Sequence, residues 1–464
     1  MIKDVNGGYW GLAIILSAFM IQFLAFGTGL SIGLYNIELL AVTGDAFSVS
    51  LVAAINTGCF LGSVSHDDSI MGRAYFLPYS HESILILCKI LWFFSAGPLA
   101  SLLMNYLSHR TIVLIGAGLS SASILCVPFL PSIGYMYALW GVCAGLGFCF
   151  VYVPSHVMSG LYYDKHTSLA TGVATAGSGL GMTVFPTIVG YLIDVYTWRG
   201  SLIILAGLML NLFVFGLLLR PLPQSKKTRD EDETMLENIG ENDQDKGTKG
   251  KRFRNYLVFC VFEFDVFFVG NILWNMGLNI VVTFGPDFIL TTLGVTSIEA
   301  AYMLTVLGLC TFLGSLLTGF IGNFHCVNRL FLYVLVCVLS GIGVICFPIA
   351  KTYVMLMVAH AIVGLGFGGI LGLLLVLTTD LLGPESLGDG VGYLMLSNGV
   401  GCFAGPPIAG LLKDSLGTYD VPLYTAGVLV VASGVIMGLV PLKTKLWGRS
   451  VIYKDTEEEI AQGS

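Results

Sequence analysis

Charge is what this sequence has least of. Of its 464 residues only 11% are Asp, Glu, Lys or Arg, while 55% are hydrophobic, a balance that excludes a water-soluble domain, in which about a quarter of the residues are charged. Chemistry-bearing motifs are scarce too. There is no phosphate-cradling Walker loop, no His-Glu-x-x-His pair and no nucleophile elbow, so an ATP-driven cycle and the commoner hydrolases have no support in the sequence. The eleven Cys form no Cys-x-x-Cys pair and fall mostly inside apolar runs, as Cys126, Cys143, Cys149, Cys310 and Cys337 do. There they serve as small packing residues rather than disulfide or metal partners. The seven His are scattered, with His66 and His81 in one polar stretch and His109 and His166 at short connections, so no metal or other cofactor is expected. The net charge of −7 is gathered in a central loop, the termini and the connections and does not suggest nucleic acid as a partner. A cleavable signal peptide is not expected either, because the first apolar run, about 11–34, is too long and lacks a small-residue cleavage site.

What the chain has in abundance is long apolar runs. A bilayer core of about 30 Å takes about 20 apolar residues per helix, since a helix satisfies its own backbone polar groups there. Runs of that length predict spans at 11–35, 84–106, 111–130, 134–156, 168–193 and 200–219, and six more at 255–285, 299–322, 329–350, 353–381, 388–412 and 422–441. Glycine, at 58 residues, suits close backbone packing between such spans. Between the two sets the polar stretch Arg220 to Arg254 cannot bury a core and is expected to be a disordered linker. The organisation is a first bundle over 1–219, a linker over 220–254, a second bundle over 255–442 and a polar tail over 443–464. Lys3, Arg110, Lys165, Arg329 and the basic residues of linker and tail share one side, against Arg199, Lys351 and Lys413 on the other, which predicts cytoplasmic termini and linker. One segment resists this scheme. Residues 47–62 are weakly apolar, and the following residues are too polar to cross lipid. A thirteenth span there would invert everything downstream, so 47–62 is read as re-entrant or interfacial within a long outer loop.

Sliding the sequence by 220 residues superimposes Ser178-Gly179-x-Gly181, Pro186, Gly190 and Asp194 on Asn398-Gly399-x-Gly401, Pro406, Gly410 and Asp414. At nearly the same offset Gly145-Leu-Gly-Phe148 meets Gly364-Leu-Gly-Phe367, and Gly97, Ser101 and Asn105 meet Ser315, Gly319 and Asn323. Three matches in the right order, split by a charged linker, argue for two six-helix halves. The predicted fold class is an all-α membrane protein of twelve transmembrane helices, the parallel-repeat plan expected of the major facilitator fold.

Gly97-Pro98-Leu99 followed by Asn105 and Arg110 resembles the major facilitator loop signature, in which small residues let helices approach and a cation seats at a helix end. The stretch Tyr162-Tyr163-Asp164-Lys165-His166 through Leu169-Ala170, Gly172 and Ala176-Gly177-Ser178 resembles the signature of the monocarboxylate transporter family. Trp198-Arg199-Gly200, Asp380-Leu381 before Gly383-Pro384, and Gly405-Pro406-Pro407 before Asp414 extend the resemblance over both halves. The family's N-terminal acidic-Gly-Gly-aromatic motif is kept only as Asn6-Gly7-Gly8-Tyr9-Trp10, without its acid. Gly364-x-Gly366-x-x-Gly369 spells a dinucleotide fingerprint but neither follows a strand nor opens a βαβ unit, so helix packing accounts for it. Against the family pattern, 48–58 would run straight into 90–105; the interposed 59–89 is either a lineage-specific insertion or translated intron sequence.

The resemblance implies a secondary transporter, and the departures from it bear on mechanism. Proton-coupled members carry a Lys in the first span and an Asp and Arg in the eighth, where this chain has Leu30, Thr311 and Ser315. Without a fixed cation for a carboxylate and an acid for a proton, the expectation is a facilitative carrier of a small monocarboxylate-like or zwitterionic organic solute at the plasma membrane. A proton-coupled symporter and a non-transporting sensor or scaffold are the competing readings; an enzyme is not expected. Candidate solute-binding polars are Gln22, Asn271, Trp274, Asn275, Thr311, Ser315, His360 and Asn398, each with interhelical hydrogen bonding as the alternative role. Asn105, Arg110, Lys165 and Asp380 are the candidate gate residues, with Gly172, Gly177, Gly181, Gly390, Gly399 and Gly401 along the sliding contacts. Glu263 or Asp265 is a candidate for coupling; otherwise both sit near the inner interface. The resemblance gives the solute and the lipid bilayer as partners and leaves room for a single-span ancillary glycoprotein.

Overall fold

The computed structural model describes residues 8–31, 34–35, 38–39, 52, 56, 96–104, 106–163, 166–220, 261–293, 297–324, 326–383 and 386–447. The expected linker, the stretch 59–89 and most of the tail lie outside the described residues. Regular structure among the described residues is almost entirely helical, and its longer runs form twelve segments. These are α1 (Gly8–Leu30), α2 (Ala96–Met104), α3 (His109–Cys126), α4 (Gly134–Leu161), α5 (167–196), α6 (198–218), α7 (Phe262–Leu293), α8 (Ser297–Ile321), α9 (Arg329–Ile345), α10 (Tyr353–Leu382), α11 (Leu387–Leu416) and α12 (Asp420–Trp447). Eight helical runs among them are long and apolar enough to cross a membrane, and the 52-residue one, Thr167–Leu218, is two spans meeting at Thr197. The last helix runs to Trp447, past the predicted start of the tail, because Lys443-Thr-Lys-Leu-Trp447 continues as helix without a Gly or Pro to stop it.

Local chemistry accounts for where helices begin and bend. Ser108, Asn328 and Thr352 each accept a hydrogen bond from a first-turn N–H of α3, α9 and α10, filling donors that have no partner inside the helix. At the other end α11 stops at Gly417, whose φ of 71° is costly for any residue with a Cβ. α4 winds as a π-helix over Tyr137–Ala144 and carries Pro154, and α5 carries Pro186. Such breaks survive in lipid because packed neighbours surround the freed backbone groups.

Packing repeats after six helices. α1 lies on α5 as α7 lies on α11; α1 lies on α6 as α7 lies on α12; and the pairs α2·α4, α3·α4 and α3·α6 recur as α8·α10, α9·α10 and α9·α12. The contacts are close. Gly177 and Gly181 of α5 sit against the backbone carbonyls of Phe19 and Phe23 in α1, and Gly401 and Gly405 of α11 sit against Ile272 and Met276 in α7. The two halves then meet through α5·α8 and its counterpart α2·α11, with α5·α10 and α4·α11 beside them.

Candidate functional site

The contact between halves is densest along α5 and α8. A Cβ on Gly172 would lie 2.7 Å from Gly319 Cα and from the Ser315 carbonyl oxygen, so the two backbones touch with no side chain between them. The approach extends from Gly322, where a Cβ would strike Ser168, up to Gly308 against Thr183, and Gly179 packs on the backbone of Thr311 and Phe312 along the way. That is about 22 Å of helix at 1.5 Å per residue. Further along α5 no contact is seen: a Cβ on Gly190 would meet nothing within 4 Å among the described residues.

Polar contacts close the end of this seam that lies beside the α4–α5 and α10–α11 connections. His166 Nδ1, just before α5, lies 2.9 and 3.1 Å from the two amide atoms of Asn323, just after α8. On the counterpart helix pair Ser101 of α2 donates to an Asp389 carboxylate oxygen of α11 at 2.7 Å, a charge-assisted bond stronger than a neutral one. Gly160 of α4 adds an apolar contact, where a Cβ would meet Leu375 of α10 at 2.6 Å and Leu387 of α11 at 3.6 Å. Arg329 braces the C-terminal half alone: its guanidinium donates to both Asp380 oxygens at 2.9 and 3.2 Å and to the Gly322 carbonyl at 3.0 Å.

Among the expected gate residues, Asp380 thus finds a partner at this end, and Arg110 lies exposed in the first turn of α3. Asn105 and Lys165 lie outside the described residues. The glycines divide differently from expectation. Gly172 is on the seam between halves, whereas Gly177 and Gly181 pack on α1, Gly401 on α7 and Gly390 on Thr378 and Leu382, all within one half. Small residues were equally needed for packing inside each bundle, and the sequence pattern does not separate the two uses.

Seven of the eight expected solute-binding residues fall into three groups. Asn271, Trp274, Asn275 and Asn398 form one buried network between α7 and α11: Asn271 Nδ2 donates to Ser397 Oγ and Asn398 Oδ1, Asn275 Nδ2 donates to the same Asn398 oxygen, and Trp274 Nε1 donates to Asn271 Oδ1 at 2.5 Å. Thr311 and Ser315 lie in the seam itself, and each donates to a carbonyl one turn back in α8. His360 pairs with the Leu356 carbonyl of its own helix and stacks on Phe347 with ring centroids 4.3 Å apart. Glu263 and Asp265 occupy the first turn of α7, where a carboxylate complements the helix dipole.

Gln22 belongs to a different constellation. Its Nε2 lies 3.2 Å from His156 Nδ1 across the packing of α1 and α4, with both side chains fully buried. Tyr152 stacks on the His156 ring at 5.4 Å and meets Phe26 edge-on. Sequence reasoning missed His156, Arg329, Asp389, Ser101 and Asn323 as functional partners. The internal repeat carries a signal for several of them, since it sets Ser101 and Asn105 on Gly319 and Asn323. It carries none for His156.

The Major Facilitator Superfamily profile matches residues 83–406 and, in a second match, 267–451. Among curated proteins the chain is similar to monocarboxylate transporter 12-B of Danio rerio, 29% identical over 74% of this chain and 75% of that one. It is 24% identical to monocarboxylate transporter 9 of Rattus norvegicus over 96% and 95% of the two chains, and 26% identical to monocarboxylate transporter 1 of Homo sapiens over 74% of each. Among solved structures the E. coli fucose:proton symporter FucP superimposes with a TM-score of 0.63 at 12% identity, covering 93% of this chain and 98% of that one. A second FucP structure, in its outward conformation, gives 0.62 at 13% identity over 92% and 98%.

Proposed function

The chain belongs to the Major Facilitator Superfamily, a secondary transporter with the fold of that superfamily, and from that premise we propose that it is a facilitative carrier of a small monocarboxylate-like or zwitterionic organic solute. The observation that carries the facilitative reading is the seam. Thr311 and Ser315 stand where proton-coupled relatives are expected to hold an acid and a base, and here both hydroxyls are spent on carbonyls of their own helix. No fixed ionic group remains at those positions to take a proton or to pair a carboxylate. The similarity to monocarboxylate transporters supports the solute class.

Alternating access follows from the same geometry. The halves are joined at one end by Gly172·Gly319, His166·Asn323 and Ser101·Asp389 and part above Thr183·Gly308, so rocking about the seam exposes a central site to one side at a time. The distribution of Lys and Arg puts the closed end in the cytoplasm, and on that reading the conformation is outward-facing. Glu263 and Asp265, in the first turn of α7, serve as terminal anchors rather than as the coupling acid. Uptake of radiolabelled hydroxy, amino and guanidino acids into proteoliposomes, with and without an imposed pH gradient, tests the proposal. The expected result is uptake at equal rates in both conditions; acid-stimulated accumulation against a gradient would overturn the facilitative reading, and no uptake of any solute would overturn transport of this class.

A further inference from the structure

We propose that Gln22 and His156 form an uncharged recognition site that takes a solute carrying a hydrogen-bond acceptor beside a hydroxyl, amino or guanidino donor; this rests on the transport function proposed above. Six buried side-chain polar atoms lack a hydrogen-bond partner among the described residues, and two of them, Gln22 Oε1 and His156 Nε2, belong to this single pair. The other four are hydroxyl oxygens, whose protons rotate to suit their surroundings. The amide and the ring have no such freedom. Their mutual bond at 3.2 Å fixes which atoms are left over.

The leftovers do not depend on how the amide is turned. If Gln22 Nε2 donates to His156 Nδ1, the unpartnered atoms are the Gln22 carbonyl oxygen, an acceptor, and His156 Nε2–H, a donor, with the second amide N–H beside them. With the amide reversed, His156 Nδ1–H donates to Gln22, and what is left is the amide NH2, a donor, and the His156 Nε2 lone pair. Either way the pair leaves an acceptor and at least one donor, all neutral. A carboxylate with no donor of its own leaves the acceptor unmet; a 2-hydroxy, 2-amino or guanidino acid meets both kinds of group.

The pair is also close to the contact between the halves. Residues four apart share a face of a helix, and Tyr152, His156 and Gly160 follow one another at that spacing along α4. Gly160 touches Leu375 and Leu387 of the opposite half. His156 is one turn, about 6 Å, further from the closed end. The polar pair is thus buried between α1 and α4 one turn past the contact that Gly160 makes with the other half.

The test uses the full-length protein in proteoliposomes. His156→Phe keeps a ring to stack on Tyr152 and deletes both nitrogens, Gln22→Leu deletes the amide, and His156→Gln restores one donor and one acceptor. For the donor-bearing solute that the native protein takes up best, the first two variants are expected to raise KM about tenfold and His156→Gln to recover most of it. Uptake of a carboxylate of the same size without the donor is expected to change less than twofold, so that selectivity between the two collapses. Unchanged selectivity in Gln22→Leu and His156→Phe would overturn the proposal, as would an equal loss for every solute together with a lowered melting temperature, the mark of a bond that only holds α1 to α4. Failure of the native protein to transport anything sinks the underlying reading instead, and is told apart from these outcomes by the native control.

Discussion

A valine at Gly172 would bring its Cβ to 2.7 Å from Gly319 Cα, a distance no packed side chain tolerates, and backbone on both sides leaves nothing flexible to yield. Gly172→Val is therefore expected to hold the halves apart at the closed end and to cut uptake more than tenfold, while Gly190→Val on the same helix, with open space around it, keeps near-native rates. Equal activity of the two variants in proteoliposomes would refute the seam as the moving contact. The asparagine network behaves differently, since it binds α7 to α11 within one half. Asn271→Leu removes the donor shared by Ser397 and Asn398 and the acceptor of Trp274 Nε1, stranding buried polar atoms at about 1–3 kcal/mol each. A drop in thermal stability is the expected readout. At this scale the sequence is informative where polarity is unusual: Asn271, Trp274, Asn275 and Asn398 stand out from apolar surroundings, and they do come together. It is silent on what each polar group pairs with. Gln22 and His156 are 134 positions apart, and a lone histidine without a spaced partner looks like any buried ring.

Helix boundaries were legible because hydrophobic length and caps are local properties. α8, α9 and α10 begin within two residues of their predicted starts, each from a run of apolar residues bounded by polar ones. α7 is an exception, running to Leu293 against a predicted end at 285, and at the α5–α6 corner a Trp-Arg-Gly motif marks a turn but not its cost. Thr197 holds φ at 63°, a left-handed conformation that a β-branched residue adopts at about 1–3 kcal/mol of strain. Trp198 is buried behind it and Arg199 lies 5.1 Å over the Trp198 ring. Thr197→Gly relieves the strain and loses about 0.5–1 kcal/mol to the freer unfolded chain, leaving a net gain of about 1 kcal/mol, visible as a raised melting temperature in detergent. An unchanged or lower value would show that the corner is held by its side chain rather than strained by it.

At the scale of the whole molecule, two sets of polar contacts rather than one join the halves at the same end. His166·Asn323 and Ser101·Asp389 lie on helix pairs related by the internal repeat, α5·α8 and α2·α11, although the residues themselves are not equivalent in it. Because they share no atoms and lie on different helix pairs, their removal adds rather than overlaps. Ser101→Ala, which removes a bond to a carboxylate, should weaken the closed end by about 1.5–3 kcal/mol and Asn323→Ala by about 0.5–1.5 kcal/mol, and the double variant by the sum, a shift of about thirtyfold to more than a thousandfold in the ratio of the two conformations. Accessibility of a cysteine introduced at Leu375 to a membrane-impermeant thiol reagent, applied from the side of the α10–α11 connection, reads that ratio. The expected order is native below either single variant and both below the double. A double variant no more accessible than the singles would mean that one contact alone latches the end and that the second, on the other helix pair, only packs beside it.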